Sequence, residues 1–587
     1  MIRLLKHLKF KDTLLLLISF GLIVLQVWLD LRMPEYMSTI TKLVQSEGSK
    51  MNDILYNGGL MLACSFASLI AMIIVGYIVS NVSANFSKNT RKKLFDKVES
   101  LSINEVKKFK VSSLITRTTN DITQIQMFIA MGLQMMIKAP ITAIWAVTKI
   151  LNKSFEWSAL TAAALIILLI GIGILLIILI PKFKIMQKLT DNVNNSIRDN
   201  IVGIRVIRAF NAEKYQENKF DTVNDELTST QLFTQRAFAI MNPFMNITLY
   251  SLNLAIYFVG AYLIKEAMLG DKLTIFGNMI VFSSYAMQVI MSFLMLAVIF
   301  MMYPRASVSA KRINEVLDEK ITIKDGKISN DKNIKETGTI EFKNVSFKYP
   351  DAKEYLIKNI TFKANKGETV AIIGSTGSGK STLINLIPRF YDVTDGEVLV
   401  DGVNVKDYKL EYLYNKIGYV PQKAVMFDGS INYNISFGSA NEKITKEKVK
   451  EAIKIAQAKD FVEKMEKEYD SHIAQSGTNI SGGQKQRLAM ARAIARNPEI
   501  YIFDDSFSAL DYKTDSLLRK ELKKYTKDST NIIVAQRIGT IMNADKIIVL
   551  DNGECKGIGN HKELLKNCEV YKQIALSQLS KEELENE

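Results

Sequence analysis

Between the apolar run TVAII and the helical run STLINLIPRF lies GSTGSGKST, which carries the spacing Gly374-x4-Gly379-Lys380-Ser381. A strand feeding a glycine-rich loop that opens a helix is the context in which this spacing binds phosphate. Gly374, Gly377 and Gly379 let the backbone N–H groups of Ser375, Thr376 and Ser378 curl round an anion, and the helix N-terminus adds its positive dipole end. Lys380 would reach the β- and γ-phosphates. Ser381 and Thr382 open the helix, and the Ser381 hydroxyl would face Mg²⁺. A second candidate is YIFDDSFSAL. Asp504 ends the apolar strand Ile500 to Phe503, so its carboxylate should emerge at the strand's C-terminal edge beside the phosphate loop, where it can hold a Mg²⁺-bound water. Alone, an aspartate after an apolar strand is usually a cap or turn residue; the phosphate loop upstream favours the functional reading. Asp505 follows at once.

The chain that must position these groups has 587 residues, too many for one core. It is 48% hydrophobic and 23% charged, with a mean hydropathy of +0.08, so the two kinds of residue must be segregated. They are. Apolar stretches long enough to cross a bilayer lie before about residue 305, and the rest reads as an α/β domain. The formal charge of +15 is not accompanied by Lys/Arg runs with interleaved aromatics, so no nucleic-acid partner is expected; positive loops beside a membrane account for it. Cys64, Cys555 and Cys568 form no paired framework and suit a reducing compartment. The N-terminal apolar run reaches Trp28, Leu29 and Leu31 without a small-residue cleavage site, so it reads as a retained anchor. Arg3, Lys6, Lys9 and Lys11 then place the N-terminus in the cytosol.

Six spans are expected, at about 13–33, 56–82, 130–152, 157–181, 240–264 and 275–303. An even number puts both termini on the cytosolic side. The internal segments 85–127 and 182–238, rich in Lys and Arg and almost free of Gly and Pro, read as span helices continuing into the cytosol. This gives an α-helical membrane domain over 1–315, a polar linker over 316–337 and an α/β nucleotide-binding domain over 338–587. In the latter TIEFKNVSFKY alternates as a strand, and KIIVLDNGE carries a hairpin-type Asn-Gly. Asp30 and Arg32 are expected among headgroups. Lys138 is expected to snorkel to the cytosolic surface, and the Met- and Phe-rich last span either packs or lines an adaptable cavity.

Taken in order, VSFKY, the phosphate loop, YVPQ, NISGGQKQR, the Asp504 strand and SALD resemble the cassette of an ATP-binding cassette (ABC) exporter half-transporter, and the resemblance covers nearly the whole chain. It implies ATP and Mg²⁺ as cofactors. Tyr349 would stack on adenine, residues 374–382 would hold the phosphates, and Ser381, Gln422 and Asp504 would serve Mg²⁺. It also implies that two cassettes pair head to tail, so that Ser481, Gly482, Gly483 and Gln484 of the signature, with Asp511, face the partner's nucleotide. Two departures stand at the hydrolytic positions: Asp505 where the family has a glutamate that polarises the attacking water, and Gln536 where it has a histidine at the γ-phosphate. A shorter carboxylate sits back by roughly 1 Å, and an amide neither carries charge nor relays a proton. His7, His472 and His561 all lie outside that loop. A lesser departure is Gln475, near which the family commonly has an acidic residue.

The pattern resembles the degenerate-site subunit of bacterial heterodimeric multidrug exporters. Its expected partner is a second half-transporter carrying the family's Glu and His, within the lipids of the plasma membrane, and its expected substrate is a small amphipathic compound. A regulatory ATP-binding subunit without transport of its own is the rival reading. A lipid or peptide exporter is another, the peptide option being weaker because no peptidase-like domain is expected ahead of residue 1.

Overall fold

The computed structural model describes residues 2–5, 8–46, 48–151, 155–268, 271–330, 336–438 and 444–579; Lys6, His7 and residues 331–335 of the expected linker lie outside them. Residue contacts divide the chain into two units, one of 1–99 with 109–319 and one of 100–108 with 320–587.

The first unit contains six helices long and apolar enough to cross a membrane: Phe10–Gln45, Met51–Glu99, Val111–Leu151, Phe155–Val202, Glu213–Glu266 and Lys272–Leu317. A bilayer core of ~30 Å needs only about 20 helical residues. The 49 residues of the second helix and the 54 of the fifth therefore run well past any such core. Each expected span lies inside one of the six, apart from residue 152, which is not among those described. The third helix is compound, with a π turn over Phe128–Gly132 ahead of Leu133–Leu151. Its core is built on the last helix, where Phe282, Tyr285, Ala286 and Val289 recur at helical spacing and Trp157 packs its ring 5.4 Å from that of Phe282.

Charged residues in this unit differ from expectation. Lys138 does not snorkel free: its Nζ lies 3.3 Å from Asp30 Oδ2, and Ser68 Oγ donates to Asp30 Oδ1 at 2.6 Å. Arg32 likewise meets Glu35, at 2.9 Å. An unpaired ion among apolar side chains is costly, so the register of the first and third helices is one that brings opposite charges together.

The second unit carries the nucleotide-binding fold. Its main sheet has six strands in the order Glu554–Gly559, Lys546–Asp551, Thr369–Gly374, Thr530–Val534, Ile500–Asp504 and Ile417–Val420, parallel except at the first edge. The antiparallel edge is the expected hairpin, with Asn552 and Gly553 both at positive φ. Alternation along the strands feeds two cores: Ala371, Ile373, Tyr501 and Phe503 face one side, and Val370, Ile372, Ile500 and Ile502 face the other. A second, antiparallel sheet is formed by Ile340–Phe347, Ile357–Ala364, Asp395–Val400 and Val403–Asn404.

Candidate functional site

The phosphate loop leaves the sheet at Gly374, which can only be glycine: a Cβ there would sit 2.0 Å from the Leu550 carbonyl oxygen of the neighbouring strand. Gly377 and Gly379 take φ of +87° and +94°, the left-handed region that glycine enters without strain. The helix then starts at Lys380. The Lys380 ammonium is folded back on its own loop, donating to the carbonyls of Gly374 at 2.9 Å and Ser375 at 2.7 Å. Burial pushes its pKa below that of an ordinary lysine, while Asp505 and Asp504 pull it back up. Ser378 Oγ is buried with no hydrogen-bond partner among the described residues. A glycine-rich loop at a helix start, with a buried hydroxyl and a buried ammonium, fits a phosphate chain.

Asp504 reaches this loop from the strand Ile500–Asp504, which is one strand removed, with Thr530–Val534 between. Ser381 Oγ donates to Asp504 Oδ1 at 2.8 Å, so the hydroxyl and the carboxylate expected to serve Mg²⁺ are already together. Burial raises the Asp504 pKa, and the Asp505 charge adds to this against the Ser381 hydrogen bond and Lys380. A divalent cation would be welcomed by that carboxylate and hydroxyl. Gln422 is the third expected member, and its amide nitrogen points at the adjoining carboxylate.

That carboxylate belongs to Asp505. Gln422 Nε2 donates to Asp505 Oδ2 at 3.2 Å, and Gln536 Nε2 donates to the same oxygen at 2.7 Å. The two departures from the family pattern are thus bonded to each other. Asp505 itself is buried, at φ +47°, with its backbone N–H on Val534 O at 3.0 Å. Left-handed backbone costs most side chains roughly 1–2 kcal/mol and aspartate less. Gln536 is held in turn from behind, because Gln578 Nε2 donates to its carbonyl at 2.8 Å while Gln578 Oε1 accepts from Ile538 N at 2.8 Å.

Tyr349 hydroxyl pairs with Thr382 Oγ1 at 3.0 Å, tying the expected adenine-stacking ring to the phosphate-loop helix. Its ring meets Tyr391 edge-on at 5.3 Å, and Lys107 Nζ lies 5.6 Å from its centroid while donating to the Tyr391 hydroxyl at 3.0 Å. Lys107 and Tyr391 had no motif to announce them.

The signature residues form a helix start. Ser481 caps the helix Gly482–Ala495, accepting from Gln484 N at 3.3 Å, while Gln484 Oε1 accepts from Ser481 N at 2.8 Å. Ser481 and Gly482 are exposed, and a Cβ on Gly483 would lie 3.2 Å from the Ala509 carbonyl oxygen, so the signature and the SALD loop pack together. Asp511 is likewise exposed and caps the helix Tyr512–Tyr525 by accepting from Thr514 N at 2.9 Å; that N–H holds its pKa below the ordinary aspartate value. Gln475 opens a short 3-10 turn.

With this geometry in place, the membership is clear. Residues 16–314 match the family model of the ABC transporter transmembrane region and residues 357–508 that of the ABC transporter; the chain belongs to the ABC transporter family. It is an ATP-driven, ATPase-coupled transporter and a multi-pass membrane protein. An uncharacterized ABC transporter ATP-binding protein of Mycobacterium tuberculosis is 35% identical over 92% of this chain and 93% of its own. An ATP-binding/permease protein of Staphylococcus aureus with a provisional multidrug-export name is 34% identical over 85% of each. The solved structure of a bacterial Atm1-family ABC exporter with ATP bound shares the fold, with a TM-score of 0.81 at 22% identity over 97% of this chain and 99% of that one.

Proposed function

We propose that this chain is one half of a heterodimeric exporter of small amphipathic compounds, holding a slow ATP site of its own and lending an intact signature to the partner's competent site. One observation carries this reading: the Asp505 carboxylate, already a methylene short, has one oxygen engaged by both the Gln536 and Gln422 amides. A general base must be free to accept the proton of the attacking water and must be placed for it within fractions of an ångström. Asp505 is set back, and the two amide N–H groups on its oxygen offer no route for the proton. The ATP-holding parts keep their function: Lys380 and the loop amides would hold phosphate, and Ser381 with Asp504 would hold Mg²⁺. When bound, that ion neutralises phosphate charge and orients the terminal group.

The exposed Ser481, Gly482 and Asp511, with Gly483 and Gln484 behind them, supply donors at a helix start for a nucleotide on the partner. The provisional name of the Staphylococcus aureus relative supports amphipathic drug-like cargo. The basic N-terminal residues and the polar, Lys/Arg-rich helix extensions support a plasma-membrane protein with both termini and the nucleotide-binding unit in the cytoplasm. The test is ATP turnover by the purified chain alone and after mixing with a half-transporter that carries Glu and His at the two departed positions. Binding without turnover alone, and turnover on mixing, is the expected result; fast hydrolysis by the chain alone contradicts the asymmetric site.

A further inference from the structure

The first membrane helix carries three charges within one and a half turns, Asp30, Arg32 and Glu35, and the third carries Lys138 and Lys149. Asp30 and Lys138 neutralise each other. Glu35 is shared: Arg32 NH1 lies 2.9 Å from Oε2, Lys149 Nζ lies 2.8 Å from Oε1, and the Tyr285 hydroxyl, 2.9 Å from the Leu31 carbonyl oxygen, lies 3.2 Å from Oε1. Among the described groups, two partly exposed cations on one carboxylate leave a surplus of one positive charge at the end of the span. Beside them lies a cavity of about 210 Å³ lined by Trp28, Leu31, Arg32, Trp145 and Lys149. The Arg32 guanidinium sits 5.3 Å from the Trp28 ring centroid, which leaves both indole walls and both cations at the same small space.

We propose that this cavity binds the headgroup of a monoanionic amphiphile. One surplus cation balances one negative charge, and two partly exposed cations on one side of a small cavity draw an anionic headgroup to it. Indole walls suit a group with an apolar stem and a polar end. The volume falls short of the roughly 300–1,000 Å³ of pockets that enclose whole drug-sized molecules, so only the headgroup enters. The chain then leaves along the exposed apolar side chains of the same two helices, such as Leu25 and Ile144. The ligand is either an anionic membrane lipid or a soluble amphiphile on the export route; the latter deepens the export reading, but binding at the cavity does not depend on ATP turnover.

The chain supplies its own probe. It has three tryptophans, and Trp157 packs in the helix core, so Trp157→Phe leaves only the two indoles that line the cavity. In phosphatidylcholine nanodiscs this variant of the full chain is titrated with bromoundecyl sulfate, bromoundecanol and bromoundecyl trimethylammonium, which quench indole fluorescence on contact. The sulfate is expected to quench saturably, at a concentration about tenfold below that of the alcohol. Lys149→Gln should remove this preference, whereas Glu35→Gln, which raises the surplus charge, should strengthen it. Opposite shifts in the two variants, each checked for retained ATP binding, cannot come from general misfolding. Displacement of the sulfate by phosphatidylglycerol in the disc assigns the site to lipid, and no displacement assigns it to a soluble amphiphile. Equal quenching by all three probes, or a preference that survives Lys149→Gln, overturns the proposal. So does no quenching at all, which would mean that another protein surface covers the cavity.

Discussion

Two aspartates stand side by side at the end of one strand, and their surroundings give them separate work. Asp504 is buried against Ser381 and is pushed toward its neutral form; Asp505 is clasped by two amides. A raised pKa in the folded state means that the charged form opposes folding at pH above that value and ceases to do so below the unfolded value. Asp504→Asn is therefore expected to raise the melting temperature of the nucleotide-free chain at neutral pH. The gain should fade as the pH falls through the folded pKa of Asp504 and be absent where even unfolded aspartate is protonated. A melting temperature lowered by the substitution at neutral pH would show that the Ser381 hydrogen bond outweighs burial. Both aspartates were legible in the sequence because an acidic pair after an apolar run is a one-dimensional pattern. The convergence of Gln422 and Gln536 on one oxygen was not, since it joins loops 114 residues apart that only the parallel sheet brings together (536 minus 422).

Helix starts carry many of the expected site residues of the nucleotide-binding unit, and they differ in what covers them. The phosphate-loop helix opens into a cradle of glycines, whereas the signature helix opens outward under a reciprocal Ser481–Gln484 cap. Gly483→Asp would place a carboxylate close to the Ala509 carbonyl and, in the proposed assembly, against a partner's γ-phosphate. Hydrolysis by the complex should collapse while photolabelling of this chain's own phosphate loop by an ATP analogue is unchanged; surviving activity would remove Gly483 from the partner's site. In the membrane unit, Asp30→Asn leaves Lys138 without its carboxylate and should cost about 1 kcal/mol, seen as a lower melting temperature in detergent. Adding Lys138→Met should recover most of that loss, and a double variant no better than the single one would deny the pair a stabilising role. Element existence was readable from period and length: the six apolar helices, the strand before the phosphate loop and the Asn552-Gly553 hairpin all follow local patterns. Which faces meet was not. The reading of Lys138 as a snorkelling residue went wrong because a single helix sequence gives depth but not the register of the neighbour that supplies Asp30.

At the scale of the whole molecule the account is one of division of labour. In the proposed reading, a chain with a phosphate loop, Asp505 and Gln536 at the two hydrolytic positions, and a capped signature helix works beside a different copy of the same fold. The measurement that tests this most directly is ATP turnover at this chain's own site, read in a complex whose partner site has lost its glutamate. Asp505→Glu alone should gain little, because Gln536 still occupies the carboxylate and no imidazole faces the γ-phosphate. Gln536→His alone should gain little, because the base remains short. Together they should raise turnover by more than the product of the two single effects, as groups acting on one transition state do. A double variant as slow as either single one would contradict the assignment of the block to Asp505 and Gln536.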